Sequence, residues 1–188
     1  MEKSRVLNRE EALLVVIDVQ ERLVPAIDKG LYERALRNTT IAIETAGTLG
    51  LPILLSEQYP KGLGRTVPHV LEALEGKRYE LLEKITFSCA RDERFLSALM
   101  KTGRRQVILT GMESHVCVYQ TSLDLVNAGY EVFVPEDAVS SRHLADHQGG
   151  IAAMRDAGVR VVPMETAVFQ LLKTAGTPEF KKISSLLR

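Results

Sequence analysis

Two cysteines and no tryptophan in 188 residues set the first limits on this chain. Cys89 and Cys117 are too few for a disulfide framework, so the fold has to rest on a buried apolar core. Neither sign of charge is in surplus: 24 basic and 24 acidic residues give a formal net charge of zero. The basic footprint of a nucleic-acid or anionic-membrane partner is therefore missing. No apolar run approaches the roughly 18–20 residues of a membrane span. The opening Met1-Glu2-Lys3-Ser4-Arg5 leads into Asn8-Arg9-Glu10-Glu11, which is not an apolar secretory segment. Free thiols without such a leader point to a reducing cytoplasm. No Gly-x-Gly-x-x-Gly follows the first apolar run, and Gly62-Leu63-Gly64 is too short for a dinucleotide fingerprint. No cofactor is expected.

What is present is an ordinary globular composition, 45% apolar and 26% charged, in a length that suits one domain over residues 1–188. Segments 13–17, 52–56, 79–83, 107–110, 131–134 and 160–162 read as strands. Segments 31–49, 67–74, 93–101, 114–127, 143–156, 166–173 and 178–187 read as helices, with Gly50, Gly103, Gly129 and Gly158 as stops. Between Glu57 and Arg65, the residues Pro60, Gly62 and Gly64 mark a turn-rich connection. Strands alternating with helices of this length imply βαβ units. The fold class is therefore α/β: three layers, a doubly wound, Rossmann-like parallel sheet with helices on both faces.

Three reactive side chains fall at the downstream ends of such strands: Asp18, Lys84 and Cys117. In an open parallel sheet that is where ligands bind. Each has an ordinary reading on its own. Asp18 could be a loop-stabilising aspartate, Lys84 a solvated charge and Cys117 a small core residue. With Ser114 as N-cap, Cys117 would sit in the first helical turn, where the helix dipole and a nearby lysine lower a thiol pKa from about 8.5 toward neutrality. Together the three supply a base, an electrostatic partner and a nucleophile for attack on a carbonyl carbon.

The segments Leu13-Leu14-Val15-Val16-Ile17-Asp18-Val19-Gln20, Glu83-Lys84-Ile85-Thr86-Phe87-Ser88 and Thr110-Gly111-Met112-Glu113-Ser114-His115-Val116-Cys117-Val118 resemble the signature segments of the isochorismatase-like cysteine hydrolase superfamily. The similarity extends through Asn127-Ala128-Gly129-Tyr130 and Glu136-Asp137-Ala138-Val139-Ser140-Ser141-Arg142. The stretch Ser56–Gly64 together with Gly111–His115 resembles the isochorismatase-domain-containing proteins of unassigned substrate. The resemblance implies a six-stranded parallel sheet and an Asp18–Lys84–Cys117 triad. It implies a cis peptide between Met112 and Glu113 that aims the amides of Glu113 and Cys117 into one oxyanion hole.

The resemblance has departures. Leu23 stands where many relatives carry an aromatic residue, which implies a wider or more aliphatic entrance. The stretch from Glu57 to Gly64 holds no histidine and one acid, and His69 alone is a poor zinc site, so no metal is expected. A cysteine in the third segment implies cysteine-dependent chemistry rather than action on isochorismate. Gln20, Leu23, Gln58, Tyr59, Phe87, His115 and Tyr119 are the candidate pocket residues. Cys89 reads as a buried small hydrophobe. The expected activity is hydrolysis of a small-molecule C–N bond, amide or imide, through a thioester. The alternative is a catalytically idle scaffold that keeps the fold. The expected partners are a small-molecule substrate and other copies of the chain, in a dimer or larger ring, with Ile183, Leu186 and Leu187 as interface candidates. Nucleic acid and membrane are not expected.

Overall fold

The computed structural model describes residues 6–188; the Met1–Arg5 segment considered above lies outside them. The elements run in chain order β1 (Ala12–Ile17), α1 (Lys29–Leu49), β2 (Ile53–Gln58), α2 (Pro60–Leu63), α3 (Pro68–Leu74), β3 (Glu80–Lys84), α4 (Glu93–Lys101) and β4 (Gln106–Met112). They continue with α5 (Tyr119–Asn127), β5 (Glu131–Pro135), β6 (Val139–Ser140), α6 (Leu144–Asp156), β7 (Arg160–Val162), α7 (Met164–Leu172) and α8 (Pro178–Ser184). The strands form one sheet in the order β3-β2-β1-β4-β5-β7, with β6 paired to β4. Every pairing is parallel.

Alternation along β1 explains the three layers. Leu14 and Val16 point to one face, where they meet Ile43 of α1, Val70 of α3, Val168 of α7 and Ile183 of α8. Leu13, Val15 and Ile17 point to the other, against Phe95 and Leu99 of α4, Leu125 of α5 and Met154 of α6. A strand covered on both faces has no polar side, which is why β1 reads as an unbroken apolar run. The chain winds outward from β1 to the β3 edge, then returns to β4 on the opposite side of β1. That reversal opens a crevice at the carboxyl ends of β1 and β4.

Four expectations change. The sheet has a seventh strand: β4 continues past Thr110, and its Gly111–Met112 edge accepts the two-residue β6. A two-residue strand carries no hydrophobic period to read. The connection after β2 is not all loop: β2 continues to Gln58 and α2 forms one helical turn. The helix before and after Cys117 is not a single α-helix, since residues Ser114–Val118 form a π-helical turn ahead of α5. Finally, Ile183 is fully buried in this chain's own core and Leu186 and Leu187 pack against it, so their apolar character is accounted for within one copy.

Candidate active site

Register brings the site together. Ile17 of β1 lies opposite Ser56 of β2 and Gly111 of β4, and Gln58 of β2 lies opposite Lys84 of β3. The next residue, Asp18, takes a left-handed backbone conformation at φ 52, one that aspartate tolerates better than most residues. Its N–H donates to the Ser56 carbonyl at 3.1 Å. Gly111 sits at φ 109, and a Cβ there would stand 2.0 Å from the Ile17 carbonyl oxygen. Only glycine permits that approach of the two central strands beside Asp18.

Asp18 is completely buried, and so nearly is Lys84. The Lys84 ammonium donates to Asp18 Oδ2 at 2.7 Å and to Gln58 Oε1 at 2.7 Å, and reaches the carbonyls of Phe87 at 3.1 Å and Thr86 at 3.2 Å. Burial works against the ammonium charge, but the Asp18 carboxylate, together with the neighbouring Cys89 and Cys117 groups, outweighs it, so the Lys84 pKa lies above the ordinary lysine value. Asp18 Oδ1 accepts from the Ser56 hydroxyl at 2.7 Å. Behind Ser56, the Cys89 thiol donates to its Oγ at 3.6 Å, and the Cys89 N–H donates to Thr121 Oγ1 of α5 at 2.9 Å.

Cys117 approaches the same carboxylate from the π-helical turn, near enough for the Asp18 charge to act on its thiol. Its pKa is not lowered. Burial pushes it well up, and the Asp18 charge pushes it further than Lys84 pulls it back. Ser114 is also not the expected N-cap. Its hydroxyl bonds to Ser141 Oγ and, at 3.2 Å, to His147 Nδ1, and the turn carries no side-chain cap. The thiol therefore rests protonated against an acceptor.

The Met112–Glu113 peptide is cis. The Glu113 carbonyl accepts from the N–H groups of Val116 at 3.1 Å and Val118 at 3.2 Å, closing the turn that carries Cys117. The Glu113 carboxylate is clamped by Arg142, whose Nε and second guanidinium nitrogen donate at 2.9 and 2.8 Å and whose N–H donates at 3.2 Å. Burial opposes the Glu113 charge, but the Arg142 bonds win and hold its pKa below the ordinary glutamate value. Arg142→Ala removes all the side-chain donors from a buried carboxylate. Because the guanidinium is half-exposed, the expected loss is limited to about 1–3 kcal/mol of unfolding free energy. A carboxyl group with a depressed folded pKa contributes fully above its unfolded value and loses that contribution as pH falls through the folded one. Urea unfolding should thus show the gap between wild type and variant narrowing in acid.

The candidate pocket residues divide. Gln20 is fully buried: its amide donates to the carbonyls of Gln58 at 3.0 Å and Gly64 at 2.7 Å, and accepts from the Gln58 N–H at 2.7 Å. Gln58 is likewise engaged, with Lys84 and, at 2.7 Å, the Ile85 carbonyl. Both side chains thus support the loop, and Gln58 the lysine as well. Leu23 is half-buried against the α1-side core and Tyr119 against the opposite core. His115 is half-buried, its Nδ1 3.0 Å from Ser141 Oγ. Tyr59 and Phe87 are 53% and 55% exposed, and both adjoin Lys84, Tyr59 through an N–H bond to the Lys84 carbonyl at 2.9 Å. The Tyr59 ring lies over Gly62, where a Cβ would come within 2.5 Å of it. Ile85, missed in the sequence, is 80% exposed on the same segment. Among the described residues, no group of three or more His, Cys, Asp or Glu side chains is placed to hold a metal ion.

The Isochorismatase domain family profile matches residues 12–166. The secreted isochorismatase effector Isc1 of Phytophthora sojae is 36% identical over 183 residues, 94% of this chain and 84% of that protein. Isochorismatase domain-containing protein 2A of Mus musculus is 34% identical over 184 residues, covering 95% and 84%. Among solved structures, the MAR1 ribonuclease of Caenorhabditis elegans superposes with a TM-score of 0.89 at 34% identity, over 97% of this chain and 92% of that one. The Escherichia coli YcaC product, an octameric hydrolase of unknown specificity, gives 0.86 at 20% identity over 99% and 92%, a likeness of fold. With the profile spanning most of its length and relatives above 30% identity covering nearly all of it, the chain belongs to the isochorismatase family.

Proposed function

We propose that this protein is a cysteine-dependent hydrolase of a small-molecule C–N bond, amide or imide. Family membership supports hydrolase activity. The observation that carries the finer reading is the buried Asp18 carboxylate, paired with the Lys84 ammonium at 2.7 Å and near enough to the Cys117 thiol for its charge to act on it. A protonated thiol set against a carboxylate is the resting half of a proton transfer.

In this reading Asp18 takes the Cys117 proton as sulfur adds to the substrate carbonyl. The fixed charge of Lys84 stabilises the anionic pair throughout. The oxyanion rests on the amides of Glu113 and Cys117; preorganised donors of this kind contribute about 3–4 kcal/mol to lowering a barrier. Asp18 returns the proton to the leaving nitrogen, the amine departs, and a thioester remains on Cys117. Asp18 then draws a proton from water as it attacks, releasing the carboxylic acid and restoring the thiol. Tyr59, Ile85 and Phe87 offer an apolar lip for the substrate. No bound cofactor enters these steps. The two free thiols fit a reducing, cytoplasmic setting, and the octameric YcaC neighbour fits assembly into a homo-oligomer.

A panel of small amides and imides, quenched in acid and followed by intact mass and peptide mapping, tests the reading. An acyl adduct on Cys117 and none on Cys89 is the expected result. Adducts on neither cysteine, with no product across the panel, favour the catalytically idle scaffold. Single-stranded RNA belongs in the panel because the C. elegans protein is named a ribonuclease; its cleavage without acylation of Cys117 would overturn the thioester route.

A further inference from the structure

Asp18 has two carboxylate oxygens and two kinds of support. Lys84 and the Cys117 thiol account for its charge partner and its proton donor. The Ser56 hydroxyl, which the mechanism does not use, donates to Oδ1 at 2.7 Å. Ser56 itself is fully buried, on the strand beside β1. A hydroxyl has one proton, and this one is committed to Asp18, so Ser56 Oγ is left as an acceptor. It is met there by the Cys89 thiol at 3.6 Å. Cys89 is in turn fixed by its N–H bond to Thr121, one turn along from Cys117 on the helix that follows it. Asp18, Ser56, Cys89 and Thr121 all have no exposed surface.

We infer that Ser56 and Cys89 are positioning residues for the general base, a buried donor chain that fixes the rotamer of Asp18 and sets how readily it accepts the Cys117 proton. This inference rests on the cysteine-hydrolase reading and adds two residues to it. A hydrogen bond donated to a carboxylate favours the charged form. In an interior of low dielectric, nothing but another built-in donor replaces it. The charged and titratable groups facing Asp18 are Lys84 from β3, Cys117 from the turn after β4 and Cys89 from the segment before α4. Burial pushes the Cys89 thiol up to about 11, so across the neutral range it remains an S–H donor toward Ser56. The chain thus has a fixed direction: Cys89 to Ser56 to Asp18.

The test is the pH dependence of Cys117 alkylation by iodoacetamide, read peptide by peptide in the full-length protein. The sulfur–carbon bond forms as iodide leaves, and the thiol proton passes through Asp18 to solvent. In wild type the rate should fall on the acid side, with a midpoint that belongs to the coupled site as a whole. Ser56→Ala withdraws one hydrogen bond from the charged form, and the acid limb should move to higher pH by about one to two units. Cys89→Ala, one link further away, should move it in the same direction by less. Cys89→Ser, which keeps a donor, should bring it back toward wild type. Acid limbs that stay in place in both alanine variants, with only a lowered melting temperature, would overturn the positioning role while leaving Cys117 as nucleophile. Equal, pH-flat labelling of Cys89 and Cys117 in wild type would instead remove the cysteine-hydrolase reading, and this inference with it.

Discussion

Cys117→Ala is expected to lower amide turnover by roughly 10⁴–10⁶-fold, the range in which loss of a nucleophile leaves only binding and oxyanion stabilisation behind. The fold should survive. The side chain lost is small, and its partner Asp18 keeps the Lys84 and Ser56 bonds, so the change in unfolding free energy should stay within about 1–2 kcal/mol. The separation of the two effects is what makes the variant informative. Because burial and the Asp18 charge hold the thiol protonated, no standing thiolate is available to account for activity. The sulfur becomes nucleophilic only as its proton moves to Asp18. A steady-state assay of wild type and variant on any substrate that acylates Cys117 checks this. Turnover retained at even a tenth of the wild-type rate, in a variant with an unchanged melting temperature, would take the nucleophile's role away from Cys117.

The same physics decides which parts of the molecule could be read from the chain and which could not. β1 and β4 were legible because strands covered on both faces leave no polar residue in the run, and their ends located Asp18 and, a turn further on, Cys117. β3 was less so: Glu80, Leu81 and Glu83 are exposed on an edge strand and only Lys84 is buried. The strand there serves chiefly to deliver one lysine. What spacing could not convey was hydrogen-bond direction. Ser114 has the type and place of an N-cap, yet its hydroxyl turns to Ser141 and His147 because the turn is π-helical. Nor could spacing convey the depth of burial and the nearness of the Asp18 charge, which together push the Cys117 pKa up rather than down. In the sequence Ser56 closes an apolar run and resembles any strand-end serine; its bond to Asp18 depends on the left-handed backbone at Asp18. Gln20 and Gln58 are candidate substrate contacts by sequence, yet Gln20 bonds the backbone of Gln58 and Gly64, and Gln58 bonds Lys84 and the Ile85 carbonyl.

Lys84→Met should cost about 3–5 kcal/mol of stability, the usual consequence of removing one member of a buried ion pair. Set against a typical domain's total of roughly 5–15 kcal/mol, that is enough to shift the urea midpoint far to the left. The loss is more than Coulombic. Methionine leaves Asp18 Oδ2 and Gln58 Oε1, both buried, and the carbonyls of Thr86 and Phe87 without the donor they share. Adding Asp18→Asn to Lys84→Met removes the uncompensated charge while keeping a side chain that tolerates the φ 52 backbone. The double variant should therefore recover about 1–3 kcal/mol of what the single one lost, though neither should turn over substrate. The pH behaviour has a definite sign. The folded pKa of Lys84 lies above its ordinary value, so the stabilisation by the ammonium is complete below the unfolded value and fades only as pH climbs through the folded one. From neutral into mildly alkaline solution the deficit of Lys84→Met should stay constant. A double variant no more stable than the single would mean that the Asp18 charge is not what the lysine compensates, and the electrostatic account of the site would fail with it.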